Sequence, residues 1–86
     1  MKRYIIKETT IRKENHPSYI NEWFLGKGGW SGEATLPEKF VAREHGFSSY
    51  KWAEKRVAEC LLSDKELLAR YELTYRKTYE IVEVEV

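Results

Sequence analysis

Eighty-six residues, 42% apolar and 14% aromatic, supply the core of one small domain and no more. The 34% charged residues nearly cancel to a net charge of +1, which argues against a strongly electrostatic partner such as duplex DNA and leaves room only for a local basic patch. One cysteine, Cys60, excludes an internal disulfide framework; no apolar run nears the roughly 20 residues of a bilayer span, MKRYIIKETT is too short in apolar residues for a secretory leader, and the expected compartment is the cytoplasm.

Lys2 to Thr9, KRYIIKET, is β-branched and aromatic at its centre and reads as a strand. Thr10 to Pro17 turns polar, with Asn15-His16-Pro17 as a loop signal. Ser18 to Leu25, SYINEWFL, carries large apolar groups on both alternating faces, as a central strand does, and lies close enough to pair with the first as an antiparallel hairpin. After a glycine-rich stretch, Thr35 is placed to cap a short helix with Pro37 in its first turn, Leu36, Phe40 and Val41 on its apolar side, and Gly46 ending it in a left-handed residue.

Ser48 or Ser49 caps the clearest segment, a helix to about Leu62 with Tyr50, Ala53, Val57 and Leu61 at spacings of three, four and four. Ser63-Asp64-Lys65-Glu66 matches a capping box that opens a second helical piece, with Leu67, Leu68 and Tyr71 inward. From Tyr75 the period becomes two, and YEIVEVEV sets Val82, Val84 and Val86 against Glu83 and Glu85. The expected architecture is a single α+β domain over residues 1–86. An antiparallel sheet of about three strands packs in two layers against one main helix plus short helical pieces, with the helices on one side.

The stretch FLGKGGWSG raises the question of a phosphate site. A P-loop needs G-x-x-x-x-G-K followed by Ser or Thr and a helix at once. Here Gly26-Lys27 is followed by glycines and Trp30, and the next helix starts several residues late. The dinucleotide spacing also fails, because the third glycine would fall at Ser31 and Gly32 is one residue late. A turn in which glycines supply positive φ is the reading that remains. His16, His45 and Cys60 show no ligand spacing, so no metal and no cofactor are expected. The carboxylates alternate with lysines or valines, the pattern of solvated faces, and no enzymatic activity is expected.

One feature stands apart. If Tyr50, Ala53, Val57 and Leu61 face the core, a rotation of about 100° per residue turns Trp52 outward among Lys51, Lys55, Arg56 and Glu59. Tryptophan and arginine dominate interface hot spots, and the same groups stack bases or contact phosphates. The candidate partner-binding residues are therefore Trp52, Lys55, Arg56 and Lys51, with Lys27 and Trp30 in the loop. The competing reading packs Trp52 under the glycine loop or against Phe40.

Tyr4-Ile5-Ile6, Tyr19 to Leu25, Gly29-Trp30, and Phe47-Ser48-Ser49-Tyr50 with Ala53 give the chain an order of elements that resembles a loose class of small phage and prophage proteins of unknown function. These are packing motifs and carry over no catalytic or binding residue. The resemblance implies an accessory protein of a mobile element, a non-enzymatic module that inhibits or modulates a larger host or phage protein by occupying its surface. A defence nuclease such as a CRISPR effector is one example of such a target. The alternative is a nucleic-acid binder using Arg3, Lys51, Lys55, Arg56, Arg70, Arg76 and Lys77. No membrane partner is expected. Self-pairing of the last strand, if it lies at a sheet edge, is opposed by Glu80, Glu83 and Glu85.

Overall fold

The computed structural model describes residues 1–12, 20–70 and 75–86. Strands β1 (Lys2–Arg12), β2 (Ile20–Leu25), β3 (Ser31–Glu33) and β4 (Tyr75–Glu85) form one antiparallel sheet in the order β3-β2-β1-β4. Helices α1 (Glu38–His45) and α2 (Tyr50–Arg70) complete an α+β fold, the class expected from the sequence. The expected β1–β2 hairpin forms, with Ile6 opposite Leu25 and Ile11 opposite Ile20. β4 runs along the whole of β1, from Lys2 opposite Glu85 to Arg12 opposite Tyr75. The loop signal at Asn15-His16-Pro17 lies outside the described residues, as do Ser18, Tyr19 and Tyr71.

The sheet differs from expectation in two ways. It has four strands, because Ser31-Gly32-Glu33 pairs with Leu25, Phe24 and Trp23 instead of remaining part of a turn. Its helices lie on opposite faces, not on one. Adjacent Ile5 and Ile6 are both fully buried, and successive strand residues point to opposite faces, so both faces must be covered. Ile5 packs with Phe24, Val84 and the α1 residues Val41 and Ala42, while Ile6 packs with Phe47 and the α2 residue Ala53. Val82, Val84 and Val86 line the α1 side as their alternation with glutamate indicates. On the α2 side, Ile81 and Tyr79 of the same strand take the shelter that the valine pattern alone does not reveal.

Helix α1 starts later and is turned differently than expected. Pro37 is extended (φ −60°, ψ 128°), and the Thr35 hydroxyl donates to Glu33 at 3.5 Å instead of capping. Val41 and Ala42 are the buried pair, whereas Leu36 and Phe40 are exposed. Gly46 ends the helix in an extended conformation (φ −70°, ψ 151°) with its N–H donating to Ala42 O at 3.0 Å, so the expected left-handed residue is not used.

Helix α2 runs unbroken for 21 residues, through the break expected at Ser63. No glycine or proline interrupts it, and Asp64 accepts the Tyr79 hydroxyl at 2.5 Å instead of capping a new helix. Ala53 is buried and Val57 half-buried, as their spacing requires. Tyr50 and Leu61 sit at the margin, about half exposed, and Leu67 and Leu68 are exposed instead of inward.

Candidate protein-binding face on α2

Ser49 sets the start of α2. Its hydroxyl accepts the Trp52 N–H at 3.3 Å and its carbonyl accepts the Ala53 N–H, the arrangement of an N-cap residue. With Ala53 fixed against the sheet, Trp52 is rotated about 100° away from it. The indole is 59% exposed, so it is neither buried under the glycine loop nor packed in the core. Lys55, one turn on, holds its Nζ 5.2 Å from the ring centroid, a cation–π contact that steadies both side chains. Arg56 pairs with Glu59 at 3.6 Å and is half-buried; Lys51 is exposed.

Because the helix does not break, the outward stripe continues. Leu62 stands ten residues beyond Trp52, about 15 Å along the axis, and is 60% exposed. Its rotation about the axis places it with Lys55 and Glu59 on the side away from Ala53. The outer face therefore carries two large apolar groups with charge between them. In the sequence this face is followed only as far as Glu59; the ten-residue spacing from Trp52 to Leu62 on one helix is the signal that reveals Leu62.

The glycine stretch builds a different surface. Gly26 N–H donates to Trp30 O at 2.9 Å, closing the β2–β3 connection around a one-turn 3-10 helix at Lys27–Gly29. Gly28 and Gly29 have φ of 68° and 74°, a region that side chains resist. Trp30 is partly covered, packs against the α1-side cluster and stacks on His45 with centroids 4.0 Å apart and planes 7° from parallel. Gly32 has no side chain because the Trp30 ring occupies that space. Lys27 is exposed at the turn. Trp30 thus belongs to the α1 side of the sheet, and Lys27 stays on the β2–β3 turn, off helix α2.

Nor do the basic residues form one patch. Arg3 shares a strand face with Ile5 and abuts Gly46 on the α1 side, while Lys51, Lys55, Arg56 and Arg70 lie on α2 and Lys77 contacts Glu8 at 3.8 Å on β1. Beneath α2, burial and then the Asp64 carboxylate push the Tyr79 hydroxyl well above its ordinary range, and burial raises the Cys60 thiol. Among the described residues no polar or charged side chain is fully buried, and no group of His, Cys, Asp or Glu is placed to hold a metal. No described helix is long and apolar enough to cross a membrane. Compared with known protein families, curated proteins and solved structures, the chain matches none.

Proposed function

We propose that this chain is a non-catalytic binding module that docks the outer face of α2, centred on Trp52, against a larger protein. The observation that carries the reading is the 59% exposure of a tryptophan on a helix whose opposite side is anchored to the sheet. Keeping so large an apolar ring in water gains the monomer little, while burying it in a partner contributes roughly 2 kcal/mol or more when it acts as a hot spot. Leu62 extends the apolar contact, and Lys51, Lys55 and Arg56 set the polarity of its rim, which fits an acidic partner surface. The chemistry suits an accessory protein of a phage or other mobile element that occupies the surface of a host protein such as a defence nuclease.

The test is affinity capture from bacterial lysate with the wild-type chain and with Trp52→Ala. A partner retained by the wild type and lost by the folded variant supports the proposal. Equal capture by both removes it. The nucleic-acid reading rests on the indole among Lys51, Lys55 and Arg56. It predicts oligonucleotide binding at low salt that falls steeply as salt rises, and absence of binding at low salt eliminates it.

A further inference from the structure

We infer that the chain forms a two-fold dimer in which α2 packs antiparallel against α2 of a second copy, along the flank that borders β4. This flank is the side of the helix away from Trp52, so the dimer stands or falls independently of the proposed function. Glu54, Ala58, Leu61, Lys65 and Leu68 follow one another at spacings of four, three, four and three, the heptad alternation of a helix-pairing seam. With Ala53 pointing at the sheet, the first four centre about 110° around the helix on the β4 side, whereas Trp52 lies about 100° around the other way. All five are exposed, Leu61 by 51% and Leu68 by 54%. Beside them runs a groove lined by Tyr50, Val57, Ala58 and Leu61 of α2 and by Tyr79 and Ile81 of β4.

Size and charge together name the occupant. About a two-fold axis between Glu59 and Cys60, an antiparallel copy sets Ala58 opposite Leu61 and Glu54 opposite Lys65, each twice. The small side chain faces the large one, so Leu61 of each copy seats over Ala58 and into the groove of the other. Each carboxylate meets an ammonium across the seam, and the aliphatic stem of Lys51 covers Leu68 of the copy. A parallel copy instead opposes Glu54 to Glu54 and Lys65 to Lys65. Sliding the antiparallel copy by one heptad leaves both charges unmatched. One arrangement satisfies size and charge at once, and its occupant is a second copy of this chain.

The sheets leave room for this contact. α2 rests on β1 and β4, and packed helices stand roughly 8–10 Å apart. Because the seam leans outward past the perpendicular, the two sheets splay beneath the helix pair. Their β4 strands stay further apart than the about 4.8 Å of paired strands, so the dimer makes no use of strand backbone. The contact of Lys77 with Glu8 lies within each chain and is undisturbed. Trp52 stands on the far flank of each helix, and the dimer therefore carries two copies of that face.

Sedimentation equilibrium of the wild-type chain should give twice the 10.2 kDa chain mass. A monomer at the highest attainable concentration overturns the inference. Glu54→Lys and Lys65→Glu each turn two attractive pairs into two repulsive ones and should raise the dissociation constant roughly tenfold. An equimolar mixture of the two restores attraction at both pairs and should recover wild-type association; folded variants whose mixture stays dissociated overturn the register. Should either charge variant fail to fold, Ala58→Arg changes an exposed helix position and should give a folded monomer, because the longer side chain fills the seat of Leu61. A dimer that survives Ala58→Arg refutes the helix contact. Trp52→Ala should dimerise like the wild type. Loss of the dimer in that variant would place the contact on the opposite flank and overturn the inference, whereas lost partner capture with the dimer intact bears on the proposed function alone.

Discussion

Replacing Trp52 by alanine should leave the fold standing, and the size of the effect follows from its surroundings. The indole is 59% exposed, so about two-fifths of its surface is out of water. A fully buried tryptophan removes about 150–250 Å² from solvent, so the covered part here amounts to roughly 60–100 Å². At about 25 cal/mol per Å² this contributes up to about 2 kcal/mol, and the exposed cation–π contact with Lys55 adds about 0.5 kcal/mol. Alanine returns roughly half a kcal/mol through its better helix propensity, and the extended-chain reference inflates the area term. The expected loss is about 1 kcal/mol. Phe24, 1% exposed between β1 and α1, sets the contrast, since its truncation to alanine should cost about 3–5 kcal/mol. Urea denaturation followed by far-ultraviolet circular dichroism separates the two. If Trp52→Ala loses as much stability as Phe24→Ala, the ring is a core residue and the docking argument fails.

Further outcomes follow from other contacts. Tyr79→Phe should lose about 1 kcal/mol with the hydrogen bond to Asp64. Burial and Asp64 raise the folded-state value of the hydroxyl, so its contribution is complete below the unfolded value near 10 and is lost as pH rises beyond it. The wild-type advantage over Tyr79→Phe should therefore shrink above pH 10, and an advantage that grows there would contradict the assignment. Gly32→Ala should push the Trp30 ring off His45 and cost roughly 1–2 kcal/mol, visible as a shift in tryptophan fluorescence; an unchanged spectrum would mean the stack does not hold. Leu62→Asp should leave thermal stability within about 0.5 kcal/mol of wild type, as surface substitutions do, while weakening partner capture.

The parts of the fold legible in the sequence are those where one pattern dominates. The period of two in the last strand and the spacing of Ala53 and Val57 each named the buried side correctly. The outward turn of Trp52 followed from that spacing by rotation alone. What escaped were features decided by tertiary contact. Three residues with glycine at their centre form β3 only because β2 offers an edge, and no local propensity marks them. Ile5 and Ile6 together do encode a sheet covered on both faces, but Val82, Val84 and Val86 against glutamate pointed to one wet side and prevailed. The capping-box pattern at Ser63 lost to helix continuity because Asp64 found Tyr79 across the layer. Trp30 looked like Trp52 in composition, and only the packing of His45 beside the turn separates their roles.

The central claim is that the Trp52 face, not the glycine turn, makes the contact. It is tested most directly by titrating the captured partner against the wild type, Trp52→Ala and Lys27→Ala. Trp52→Ala should weaken binding roughly 30-fold, the equivalent of about 2 kcal/mol, and Lys27→Ala should leave it unchanged. Undiminished affinity in Trp52→Ala, or a loss confined to Lys27→Ala, would contradict the account.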